Sequence, residues 1–104
     1  MGICWQSGAR KAVKKIYFFY KSKNETVAKE IIDEINDAVE RLALFPQSAP
    51  IEPILEGHPK AFRALLIMKL FKVIYYINEA ENEVVIVTVW DCRQNPEKLA
   101  DLVK

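Results

Sequence analysis

The 104-residue chain is sparing with side chains that do chemistry. It holds one histidine, His58, set between Gly57 and Pro59, and two cysteines, Cys4 and Cys92. One imidazole and two widely spaced thiols do not make a zinc set, and there is no glycine-rich phosphate loop. Neither a metal nor a cofactor is therefore expected. A histidine in a Gly-His-Pro loop reads first as a solvent-exposed side chain, and Glu52, between Ile51 and Pro53, as an exposed loop acid. The arginines say more. Arg63 stands inside the apolar run Phe62–Leu66, and Arg93 just after Trp90. Arginine in or beside an apolar strand needs a partner. Asp91, an acid of the second helix or a phosphate group would each serve, and the sequence leaves that choice open. Lys72 reads as an edge-facing lysine. Tyr75 and Tyr76 alternate faces, so at least one is core, and Trp5 and Trp90 are core or partner-facing.

These residues must be positioned by a single domain spanning 1–104, because the length leaves room for only one. A hydrophobic content of 51% excludes intrinsic disorder. The longest apolar stretch, 61–77, is broken by Arg63, Lys69 and Lys72, so no membrane span is expected. The first 23 residues lack the apolar centre of a secretory leader, and two cysteines are too few for a disulfide scaffold. A cytoplasmic protein with reduced thiols is the expectation. Net charge is only +1, but it is strongly blocked: residues 1–23 carry six bases and no acid, and 24–56 carry eight acids and two bases. Residues 57–77 carry four bases and no acid, and 78–104 six acids and three bases. The basic blocks at 10–23 and 60–72 are expected to attract an acidic segment of a partner.

Hydrophobic spacing supplies the elements. Gly2–Trp5 reads as an edge strand, and Ser7 then caps a helix whose apolar stripe is Ala9, Ala12, Val13, Ile16, Phe19 and Tyr20. Ser22 and Glu25 have the spacing of a capping box, which predicts a second helix from near Lys23, ended by Pro46. Its stripe is Ala28, Ile31, Ile35, Ala38, Val39, Leu42 and Phe45. Residues 46–59, with four of the five prolines, read as a loop. Strands follow at 61–67 and 71–78, joined near Met68-Lys69-Leu70, and a third, central strand runs from Val84 to Trp90. Asn95-Pro96 opens a last helix, 96–103. The result is an α+β chain of order β-α-α-β-β-β-α, with a helical hairpin on one face of a mainly antiparallel sheet. The strands are apolar on both faces, so a partner chain is expected to cover the second face.

Taken in order, Trp5…Ala9, the hairpin ending Leu44-Phe45-Pro46, Phe62-Arg63-Ala64-Leu65, Phe71–Ile77, Val84–Val89 and Trp90-Asp91-Cys92-Arg93-Gln94-Asn95-Pro96 resemble the RelE/ParE superfamily of bacterial type II toxins. The resemblance implies the toxin of a toxin–antitoxin, plasmid-stabilisation system, neutralised by a cognate antitoxin. ParE-like members are associated with DNA gyrase and work by binding. RelE-like members cut mRNA on the ribosome. For a nuclease the resemblance places Glu52 as base candidate and Arg63, Lys72 and Arg93 as phosphate-facing cations. Cleavage also needs a general acid. MRNA-cutting members carry a His or Tyr after the last strand, and this chain has Cys92-Arg93-Gln94-Asn95 with neither beyond it. His58 would have to stand in. The expectation is therefore a ParE-like toxin acting through protein contacts, with Arg63, Arg93 and Trp90 in the contact surface. The alternatives are a ribosome-dependent endoribonuclease and an inactive homodimer.

Overall fold

The computed structural model describes residues 1–102. The elements are β1 (Gly2–Trp5), α1 (Ser7–Lys21), α2 (Glu25–Leu44), a 3-10 turn (Pro53–Leu55), β2 (Arg63–Ile67), β3 (Phe71–Asn78), β4 (Glu83–Asp91) and α3 (Pro96–Leu102). The order and class are those read from the sequence. Val103, with which the last helix was expected to end, lies outside the described residues. No described helix is long and apolar enough to cross a membrane.

The four strands run in the order β1-β4-β3-β2. β1 pairs with β4 in parallel, and the other two pairings are antiparallel. Against Ile74 and Tyr75, β4 presents Thr88 and Ile86, so Val87 is an extra, bulged residue. The bulge resets the alternation and lets both Ile86 and Val89 face the helices. Gly8 sits over it: a Cβ there would press on the Val87 carbonyl at 3.4 Å. The helix-side core gathers Ile31, Ile35 and Leu42 of α2 with Phe71, Val73 and Tyr75 of β3.

Local capping departs from the sequence reading at both helix starts. Gln6, not Ser7, is the N-cap of α1, through its carbonyl, which accepts from the Ala9 and Arg10 N–H groups. Ser22 still has helical dihedrals and closes α1, its hydroxyl donating to the Phe19 carbonyl at 2.7 Å. Asn24 is extended instead, and its Oδ1 accepts from the Val27 N–H at 3.2 Å, so α2 starts at Glu25. Both serine and asparagine can cap. Here the hairpin gives that role to the residue that leaves helical geometry. The β2–β3 turn falls where expected but lacks glycine: Met68 and Lys69 both take left-handed dihedrals, with φ near 55°, as this tight hairpin turn demands.

Most of the second sheet face is covered by the chain itself, which corrects the expectation that a partner must cover it; Leu66, on the edge strand, stays 53% exposed. Residues 50–52 run back along β2: Ala64 N–H donates to the Pro50 carbonyl, Glu52 N–H donates to the Phe62 carbonyl, and Ile51 bridges Arg63. The 3-10 turn and α3 then close over the sheet. Leu55, Phe62, Ala64, Ile74, Trp90 and Leu99 form a second small core beneath them. The 46–59 segment is thus a structured strap rather than an open loop.

Candidate functional site

The sheet divides the candidate charged residues. Arg63 lies opposite Tyr75 and shares its helix-side face, whereas Lys72 lies between Leu66 and Trp90 on the other. Arg93 follows β4 beyond Asp91, which pairs with Phe71. Four residues of β3 separate the Tyr75 and Phe71 positions, about 13 Å of strand. Arg63, Lys72 and Arg93 therefore do not converge on one point.

Glu52 and Lys72 do meet. The Lys72 ammonium donates to both carboxylate oxygens of Glu52, at 2.9 and 3.2 Å. The strap carries Glu52 inward until only 2% of it is exposed, so it is not the exposed loop acid the sequence suggested. Its carboxylate is committed to a lysine that keeps partial solvent access. A buried carboxylate without that cation would be strongly unfavourable. Beside the pair, burial pushes the Cys92 thiol up, with Asp91 and Glu52 adding to the effect and Lys72 opposing it. A thiol so shifted is a poor nucleophile at neutral pH.

Arg63 serves the backbone. Its Nη1 donates to the Ala49 carbonyl at 2.6 Å, while the Tyr75 hydroxyl donates to the Pro46 carbonyl at 2.7 Å. Together they anchor the turn that leaves α2. Burial, its largest influence, raises the Tyr75 phenol above its ordinary range, against the pull of the Ala49 backbone contact and Arg63. His58 remains at the strap's surface side, its Nδ1 accepting from the Lys60 N–H and its ring edge-on to Phe62 at 4.8 Å. Trp90 is 7% exposed and packed in the second core, so the folded chain offers a partner little of it.

Arg93 is held differently. Its Nη2 and Nε donate to Asp91 at 2.7 and 3.1 Å, and Nη2 also donates to the Tyr20 hydroxyl at 3.1 Å. The guanidinium hydrogen bond holds the Asp91 carboxyl below its usual range, and Asp91 in turn raises the guanidinium further. The guanidinium is therefore permanently charged and oriented, yet 58% exposed. It stands at the rim of a groove of about 220 Å³ between α1 and the end of β4. Ala12, Ile16, Phe19, Tyr20 and Val89 form the apolar floor, with Lys15 a second cation on the lining. An apolar floor with a fixed cation at its rim suits an apolar side chain flanked by an anion. Tyr20 and Lys15 were not singled out from the sequence; Tyr20 lies 73 residues from Arg93 and only the fold joins them. No group of metal-ligating side chains occurs among the described residues.

Comparison with known proteins agrees with this architecture. The model of the family described as "ParE toxin of type II toxin-antitoxin system, parDE" matches residues 3–96. The chain therefore belongs to the ParE toxin family. A solved structure titled "Chromosomal ParDE TA system from P. aeruginosa" superposes with a TM-score of 0.70 at 19% identity, covering 88% of this chain and 95% of that one. At that identity the likeness is one of fold. No curated protein gives a significant sequence match.

Proposed function

We propose that this chain is the toxin of a toxin–antitoxin, plasmid-stabilising pair in the cytoplasm, neutralised by a cognate antitoxin, and that it acts by binding its target rather than by cutting RNA. The observation that carries this reading is the placement of the four candidate catalytic charges. They sit on two faces of the sheet, and each is engaged within the chain: Glu52 with Lys72, Arg63 with the Ala49 carbonyl, Arg93 with Asp91. A general base must reach the proton it removes, and the buried Glu52 carboxylate is sealed beneath the strap. Arg93 is the one of the four that couples fixed orientation with wide exposure and a neighbouring groove. It is the charge best placed to meet a macromolecule. DNA gyrase is the target that membership of the ParE branch favours. The Glu52–Lys72 contact is the one feature that favours the ribosome-dependent nuclease, since it brings a base and a cation together.

Mapping of mRNA ends after induction separates the two. Wild type should give few ribosome-dependent cuts, and Glu52→Gln should leave that background unchanged. A missing general acid alone costs about 10²–10⁴-fold in such a reaction. Abundant cuts that vanish in Glu52→Gln would establish the nuclease, and His58→Ala would then test the remaining imidazole.

A further inference from the structure

The outer surface of the helical hairpin is divided by sign. α1 carries Arg10, Lys11, Lys14, Lys15 and Lys21 and no acid. α2 carries six acids against Lys29 and Arg41. The helical repeat puts Lys11, Lys14, Phe18 and Lys21 on one stripe of α1, and Glu30, Asp33, Asp37 and Glu40 on one stripe of α2. All eight side chains are exposed, and Phe18, at 60%, is a large apolar group set among the lysines. Like charges three and four residues apart weaken a helix. The two stripes do not relieve each other: among the described residues no ion pair joins a base of α1 to an acid of α2.

We propose that this face is a homodimer interface in which α1 of each copy lies along α2 of the other. Charge selects both the occupant and the symmetry axis. A nucleic acid drawn to α1 would meet the acidic stripe of α2 one helix spacing away, about 8–10 Å, which is within a Debye length at ordinary salt. A second copy meets both stripes with their complements. With the two-fold axis parallel to the helices, basic α1 faces acidic α2 twice. With the axis across them, α1 faces α1 and like charges repel. The parallel-axis arrangement lays α1 antiparallel on the partner's α2, and Phe18 supplies an apolar contact within an otherwise polar patch. A face of about 22 Å by 20 Å is at the small end of specific interfaces, so the dimer is a transient, salt-sensitive one. The stripes point away from the sheet, so the Arg93 groove stays open in the dimer, and the proposal is independent of how that groove is used.

Sedimentation velocity across a wide concentration range tests this. Wild type should dimerise at about 50 mM salt, with the dissociation constant rising roughly tenfold or more by about 500 mM. Two charge-reversed proteins sharpen the test: Glu30→Lys with Asp37→Lys makes the hairpin basic, and Lys14→Glu with Lys21→Glu makes it acidic. Each alone should be monomeric, and mixing them should restore a one-to-one dimer, with circular dichroism confirming that both retain their helices. If a double variant unfolds, Asp37→Lys and Lys14→Glu carry the same mixing test singly. Wild type that stays monomeric at low salt overturns the proposal, including the case in which that monomer retains an oligonucleotide. So does a mixture that fails to associate.

Discussion

The Glu52–Lys72 and Asp91–Arg93 pairs sit in surroundings that give them opposite uses. In Glu52–Lys72 the carboxylate is the buried partner, on the sheet face closed by the strap and α3. In Asp91–Arg93 the acid is the more sheltered member and the guanidinium is offered to solvent beside a groove. The first pair closes a core. The second displays a cation. The lesson is that a charged residue's type and position along the chain do not set its role; which partner is sealed from water does.

The comparison predicts unequal costs when each pair is broken. Lys72→Met leaves the Glu52 carboxylate buried and unpaired and should cost about 3 kcal/mol of stability, the low end for a buried pair because Lys72 keeps partial solvent access, read from denaturant unfolding. Unfolding at wild-type stability would mean that the strap opens easily, and the contrast between the two pairs would dissolve.

Asp91→Asn should have the smaller effect, because an exposed ion pair contributes little in water. Its pH dependence identifies it. The Asp91 carboxyl is held below its ordinary value of 3.8 in the folded chain, so its contribution is present above that pH. The contribution fades as pH falls through the ordinary value toward the depressed one. The stability difference between wild type and Asp91→Asn should accordingly be present near neutral pH and shrink under acid. A difference that persists unchanged at low pH would assign the effect to packing instead.

How far the sequence announced these pairs depends on the range of the interactions. α2 was legible because Ile31, Ile35, Ala38 and Leu42 recur at helical spacing, and α3 because Asn95-Pro96 is a local start signal; Asn95 Oδ1 accepts from the Glu97 N–H. The Arg93–Asp91 pair was among the partners the sequence allowed, being two residues apart. The Glu52–Lys72 pair was not read as a pair, since it depends on the strap docking through Pro50, Ile51 and Phe62 across the sheet edge. Proline spacing marks such a segment as irregular without showing that it folds back. The same long range hid the Tyr20 contact and the groove. It also made the second sheet face look in need of a partner, when Leu55, Phe62 and Leu99 already cover most of it. At the helix starts the error was local: Ser22, Asn24 and Glu25 offer two competing caps, and the chain's exit from α1 decides between them.

Growth arrest after induction separates the roles of the two pairs, using proteins that fold but lack one pair's chemistry. The double substitution Glu52→Leu with Lys72→Met removes both charges together, which a buried pair tolerates far better than loss of one partner. Arg93→Ala removes the displayed cation at the groove and leaves the second core intact. At matched expression, the double variant should arrest growth as wild type does, and Arg93→Ala should not. A harmless double variant beside a fully toxic Arg93→Ala would contradict this.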